Sequence, residues 1–336
     1  MRVCPSALVF ALLGCGTSRA VVIESRSLEV PLDGRAPPPL HVVMSASRAL
    51  TFCVQRTDEE AFCVQRGEAF RRVVTTGPVV DIEPETLFVS GLELADVGGR
   101  SSPTPFPFEE VATLTLDVHC GRAADGRVAC DSFAQPGVFD AVSIDGAPIA
   151  AASITASSDT LLALLPDQRL ACAGRSCERI RAEREGAGRT ASEGSSYATG
   201  TPWPSSPIGA ATVIADGIAE VRTDGLGMVC LLSGDVRCHA PGMPSTAIVP
   251  TGLVDFACAA NVLALLETTH EGTGVRAFYV GVDPSEQIWE ADATGASHLH
   301  AAGTTLCVEA EGRLSCTEFR GRMPPAALTP MSPPGW

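Results

Sequence analysis

No lysine occurs anywhere in the chain, whose 24 basic residues are all arginine. That absence excludes Schiff-base catalysis, a lysine general base and a phosphate-cradling loop that ends in lysine. Positive charge is scarce as well: 39 acidic residues leave a net charge of −15. Such a surface has little with which to release counterions from a nucleic-acid backbone, so nucleic acid is excluded as the main partner. Aromatic residues are only 5% of the chain, which leaves aliphatic side chains and covalent staples to hold a core. There is no Gly-x-Ser-x-Gly elbow and no Cys-x-x-Cys. The hydrolase nucleophile turn and the thioredoxin-like redox motif go with them. What remains, 45% apolar and 19% charged over 336 residues, describes a globular chain of two small domains or one large β domain.

The N-terminus sets the compartment. Met1-Arg2, an apolar run from Ala7 to Leu13, and Gly14-Cys15 form a secretory signal too short to span a bilayer as a helix. Leu12-Leu13-Gly14-Cys15 reads as a bacterial lipobox, with residues 1–14 removed and Cys15 lipidated. Gly16 at the next position then directs the protein to the outer membrane, held there by the lipid anchor alone. The competing reading is cleavage after Ala20, giving a periplasmic or secreted protein. The lipobox is preferred because Cys15 follows the apolar core without a gap. No later segment reaches 18 apolar residues, so the rest of the chain is expected to be soluble.

Export makes the other cysteines readable as disulfides. Cys53 with Cys63, Cys120 with Cys130, Cys230 with Cys238, and Cys307 with Cys316 are separated by seven to nine residues, wider than the two to four typical of zinc ligands. Asp125-Gly126 and Glu311-Gly312 fall midway within their pairs, where a tight β-hairpin reversal needs positive backbone dihedrals. Each couple therefore sits opposite on adjacent strands, within disulfide reach. Cys172 lacks its hairpin partner because Leu162 stands there, so a short bridge to Cys177 is expected. Cys258 is either a buried free thiol or the true partner of Cys177.

These hairpins repeat. Their first-cysteine positions, with Leu162 and Leu263 standing in, are 53, 120, 162, 230, 263 and 307. The shorter intervals suit blades of about 40–50 residues. The first long gap holds a worn copy, Val79–Ile82 with Thr86–Val89, and the second an insert loop over 179–207 rich in Arg, Glu, Gly, Ser and Pro. The expectation is all-β: a single six- or seven-bladed β-propeller of worn repeats stapled by hairpin disulfides. It spans residues 35–322, preceded by a tether over 15–34 whose alternating Val21–Val30 closes the ring as a strand. A Pro-rich tail follows over 323–336.

The phrase strand–Cys–aliphatic–turn-Gly–Val-x-Cys resembles the cysteine-bearing repeats of the regulator-of-chromosome-condensation type found on exported bacterial lipoproteins. The resemblance implies a propeller. It departs from the family after the second cysteine, where Trp-Gly is replaced by Asp131-Ser132, His239-Ala240 and Thr317-Glu318, and it carries over neither nucleotide exchange nor chromatin binding.

Catalytic features are thin. His298-Leu299-His300 on a strand puts two imidazoles on one face, a metal-binding geometry, against the plain reading of two half-buried blade residues. Arg127, Arg169, Arg237, Arg276 and Arg313 recur after the turns as a blade-edge charge pattern or a ligand-facing ring. No catalytic residue and no cofactor is assigned. The leading expectation is a monomeric, non-catalytic scaffold for an envelope or extracellular protein or ligand. The alternative is a propeller hydrolase or lyase with a metal at His298 and His300 on the axial face.

Overall fold

The computed structural model describes residues 40–45, 51–57, 60–65, 70–75, 77–82, 86–89, 93–96, 101–103, 108–114, 118–132, 135–174, 176–184, 208–270, 272–282, 287–319, 325 and 327–331. They form seven four-stranded antiparallel sheets, each built from four consecutive strands. These are blades 1 (residues 41–74), 2 (79–103), 3 (110–141), 4 (153–215), 5 (220–248), 6 (253–292) and 7 (296–331). Each blade meets the next along its first strand, and the first strand of blade 7 meets that of blade 1. The result is a closed seven-bladed propeller, with first strands at the hub and fourth strands outside.

Alternation explains the packing. Side chains of a strand point to opposite faces, and here each face meets a different neighbouring blade. In strand Thr160–Leu164, Leu161 and Ala163 join the apolar cluster shared with blade 3, while Leu162 and Leu164 join the one shared with blade 5. In strand Val262–Thr269, Val262, Ala264 and Leu266 face blade 7, while Leu263 and Leu265 face blade 5. The hydrophobic core is thus a series of seam clusters rather than one central mass. Strands buried on both faces need continuous aliphatic runs, which is why Thr-Leu-Leu-Ala-Leu serves as a second strand.

The cysteine hairpins are the second and third strands of their blades. Cys53 pairs with Cys63, Cys120 with Cys130, Cys230 with Cys238 and Cys307 with Cys316 in direct register. Each couple is bridged, at Cα–Cα distances of 4.0–4.1 Å. Leu162 lies opposite Cys172, and Leu263 opposite Phe278, so both stand-ins hold the repeat register. Cys172 is bridged to Cys177, and Cys258 is a buried free thiol. The worn copy is a full blade, because Val79–Ile82 and Thr86–Val89 are the first two of its four strands. Five disulfides are the chemistry of an oxidising, extracytoplasmic space.

Two boundaries differ from the sequence reading. The segment expected to be loop from Arg179 begins instead as helix Cys177–Arg184, anchored by the Cys172 bridge and by the fully buried Ile180. Its remainder, 185–207, lies outside the described residues. The Pro-rich tail is not free of the propeller, since Thr329–Met331 forms the fourth strand of blade 7 against Leu314–Cys316. Pro330 is tolerated there because an outer edge strand can do without one ladder N–H. Among the described residues each blade has four consecutive strands of its own, and blades 7 and 1 meet through Leu40, Phe52, Val54, Leu314 and Cys316. The signal, Cys15 and the expected closing strand Val21–Val30 lie outside the described residues.

Candidate functional site at the hub

The first strand of each blade is an inner edge, and an edge strand carries N–H groups with no ladder partner on its free side. The chain answers them with polar side chains from the preceding blade. Gln55 accepts from Val79 N at 2.8 Å and donates to Thr75 Oγ1 and Gly77 O, joining blade 1 to blade 2. Glu110 accepts from Ile154 N at 3.1 Å across the seam of blades 3 and 4, while Arg122 Nε holds the same oxygen at 2.8 Å. Asp255 accepts from Leu299 N at 2.8 Å between blades 6 and 7. Glu309 accepts from Leu40 N at 3.2 Å, closing blade 7 onto blade 1. Gln55 and Glu309 each sit two residues after a first hairpin cysteine, in Cys-Val-Gln and Cys-Val-Glu. That shared spacing is the sequence signal of the device.

His298 and His300 fall in this network. Their rings lie on one face of strand Ala296–Ala302, with centroids 6.3 Å apart. Each is turned toward its own carboxylate: His300 Nε2 is 3.0 Å from Glu309 Oε2, and His298 Nδ1 is 3.7 Å from Asp255 Oδ2. His298 is exposed and His300 largely covered. Asp255, buried, also receives Arg222 Nη2 at 2.7 Å, and Arg222 in turn bonds Glu220 and the carbonyl of Leu299 while lying over the Phe256 ring. One carboxylate therefore ties blades 5, 6 and 7 together. Arg222, Asp255 and Glu309 carry the geometry at the hub, and the sequence had singled out none of them.

Burial alone would push the Glu309 carboxyl up, but hydrogen bonds from His300 and from Leu40 N–H outweigh it and hold the group below its ordinary 4.5. A carboxyl depressed by folding contributes stability that is present above the unfolded value and lost as pH falls through the folded one. Urea midpoints of the wild type and Glu309→Gln should therefore differ most at neutral pH and converge as pH drops below that value. A gap that stays constant down to pH ~3 contradicts the linkage.

Four of the five recurring arginines are held by carboxylates. Arg127 pairs with Asp125 and Arg169 with Asp167, both at 2.6 Å, while Arg237 reaches Asp235 at 3.0 Å. Arg276 is held at 2.5 Å by the buried Glu267. At the first of these turns the Arg127 N–H, then its guanidinium, hold Asp125 below the usual carboxylate range. At the second the Arg169 guanidinium does the same for Asp167.

At the other end of the hub Asp224 accepts N–H bonds from Leu226, Gly227 and Met228 while its own carbonyl accepts from Gly303 of blade 7. Burial raises its carboxyl despite those donors. Among the described residues, one group of three potential metal-ligand atoms lies within 4.8 Å of one another. It is the sulfurs of Cys230, Cys238 and Cys258, not the imidazoles.

Neither a protein-family model nor a curated protein matches the chain. Solved propellers resemble it in fold. PorZ, an essential bacterial surface component of the type-IX secretion system of Porphyromonas gingivalis, is 9% identical over 89% of this chain, with a TM-score of 0.48. This chain spans only 39% of PorZ. BBS1N, solved in complex with ARL6DN, is 11% identical over 83% of this chain and 90% of its own, with a TM-score of 0.48. Virginiamycin B lyase from Staphylococcus aureus is 9% identical over 83% and 93%, with a TM-score of 0.46. These likenesses concern the fold alone.

Proposed function

We propose that the protein is an exported, non-catalytic binding scaffold, tethered to the outer membrane through lipidated Cys15, that presents one face of its ring to an envelope or extracellular protein. The observation that carries this reading is the division of labour at that face. First strands begin, second-to-third-strand turns reverse and fourth strands end on the same side of the ring. The hub carboxylates there are committed to seams and three of the turn arginines to their own turns. What stays open on that side includes apolar surface, with Val249 78% exposed and Val254 44% exposed around the blade 5–6 connection, and Val74 73% exposed on blade 1. Large apolar side chains left in water beside neutralised charge suit a protein partner better than a small polar substrate. The repeats are read, in the same proposal, as worn copies of the regulator-of-chromosome-condensation type.

The test is chemical cross-linking in cells that export the full chain. Val249→Asp with Val254→Asp should abolish a cross-linked species that the wild type forms, and Cys15→Ser should move the protein from the membrane to the soluble fraction. An unchanged cross-link sinks the proposed face, and membrane retention of Cys15→Ser sinks the tether. The metal-enzyme alternative draws on the shared face of His298 and His300. Stoichiometric metal in purified protein, lost in His298→Ala/His300→Ala, would replace the scaffold reading with it.

A further inference from the structure

Four of the five disulfides join opposed second and third strands of one blade, and the fifth links a third strand to the helix that follows it. Their sulfurs all face the next blade along the chain: Cys53 and Cys63 lie in the cluster shared with blade 2, Cys120 and Cys130 in that shared with blade 4, and Cys307 and Cys316 in that shared with blade 1. Cys172 with Cys177 faces blade 5, and Cys230 with Cys238 faces blade 6. At one seam the next blade answers with a thiol. Cys258, on the first strand of blade 6, is wholly buried in the same cluster as Cys230 and Cys238. The three sulfurs lie within 4.8 Å of one another.

Cys258 does not belong to its own blade's hairpin, where Leu263 and Phe278 occupy the repeat's two cysteine positions. It sits instead opposite Leu263 on the first strand, and its thiol points across the seam, 3.7 Å from the carbonyl of Arg222 in blade 5. Arg222 is the register partner of Cys230. The strand that carries Cys230 is in contact with the strand that carries Cys258.

We propose that Cys258 and the Cys230–Cys238 bridge form an internal thiol–disulfide exchange unit that can convert a blade-internal staple into a covalent link between blades 5 and 6. The Cys258 thiolate attacks Cys230 Sγ, the Cys230–Cys238 bond breaks, a Cys230–Cys258 bond forms, and Cys238 leaves as a thiolate that takes up the proton Cys258 gave. One disulfide and one thiol stand on each side, so no oxidant or reductant is consumed. The thiolate is the attacking species, and its environment restrains it. Burial pushes the Cys258 thiol well up, Asp224 and Glu220 push it further, and Arg222 opposes them. The exchange is therefore slow in the resting fold and quickens when the seam opens or the pH rises. Its product is a covalent staple across the seam of blades 5 and 6, whereas the five bridges of the resting fold each lie within one blade or between a blade and the helix that follows it.

The experiment uses the full chain. Native protein is held at neutral pH and at pH ~9 for several hours, quenched with acid, alkylated with a maleimide under denaturing acid conditions, and cut before aspartate. Cleavage at Asp224, Asp235, Asp255 and Asp283 places Cys230, Cys238 and Cys258 on three separate peptides. The expected result is a peptide pair linked through Cys230 and Cys258, with alkylated Cys238, that grows with pH and is absent from Cys258→Ala. As a second arm, Cys238→Ala leaves Cys230 and Cys258 as free thiols. Treating it with a small-molecule disulfide should give the same linked pair, two thiols becoming one disulfide while the reagent is reduced to its thiols. The proposal is overturned if wild-type protein yields only the Cys230–Cys238 pair with Cys258 alkylated, including the case where Cys238→Ala does cross-link, since reach without exchange is not this device.

Discussion

Asp255→Ala should be among the most destabilising single substitutions in the propeller, at about 2–5 kcal/mol, because it removes a buried carboxylate on which three donors converge. The side chain is 6% exposed and accepts from three directions: Arg222 Nη2 at 2.7 Å, Leu299 N at 2.8 Å and Phe256 N at 2.8 Å. Alanine leaves two backbone donors buried without acceptors and Arg222 with Glu220 as its one remaining carboxylate. Each orphaned donor alone costs about 1–3 kcal/mol. Asp255→Asn keeps a carbonyl for one N–H and loses the charge, so it should fall between the two. Asp255 still accepts from Leu299 N and Phe256 N when Arg222 is removed, and Arg222 is the more exposed partner, so Arg222→Ala is expected to cost less than Asp255→Ala. A double-mutant cycle by urea unfolding reads the coupling directly. A loss below about 1 kcal/mol for Asp255→Ala, within the range of an ordinary surface pair, contradicts the assignment of the seam to this carboxylate.

Sequence reading reached the repeat register because that information is local. Paired cysteines eight to ten positions apart, in three of the four pairs with a turn glycine between them, specify a hairpin whatever surrounds it. Leu162 and Leu263 could stand in because the position demands an apolar side chain facing a seam, not sulfur as such. Blade 2 was visible only through its two alternating strands. The helix Cys177–Arg184 was read as loop because one buried apolar residue, Ile180, among Arg and Glu gives no stripe of 3.6-residue period. Thr329–Met331 was read as tail because its proline argues against a central strand, and an edge position escapes that argument. The hub was the least visible part. Asp255 meets Leu299 44 residues away and Glu309 meets Leu40 269 residues away, and such pairings exist only once the ring has closed. His298 and His300 were legible as a strand pair, but the carboxylates that face those imidazoles come from one strand of blade 6 and one of blade 7.

Complete reduction of the five disulfides is expected to abolish cooperative folding near physiological temperature. Each bridge joins cysteines only 5 to 10 positions apart in sequence, and closing a loop of that size is worth about 2–3 kcal/mol on the chain-entropy model. Five such contributions are comparable to the whole net stability of an ordinary domain, about 5–15 kcal/mol. The apolar core has little with which to replace them. It is split into seam clusters, it is poor in aromatics, and among the described residues blades 7 and 1 meet through packing and the Glu309–Leu40 hydrogen bond. Blade 7 offers the sharpest single case, because Cys307 and Cys316 face that closing seam. Alanine is the right replacement there, since serine would add two buried hydroxyls with no assigned partners. Cys307→Ala/Cys316→Ala should lower stability by about 2–3 kcal/mol, and the loss should appear first as hydrogen exchange in strands of blades 7 and 1. Uniform loosening around the whole ring would instead mean that the bridge acts on the unfolded chain alone. A fully reduced protein that keeps its urea midpoint would show that the aliphatic seams suffice, and that the repeating cysteines mark repeat register without providing its main staple.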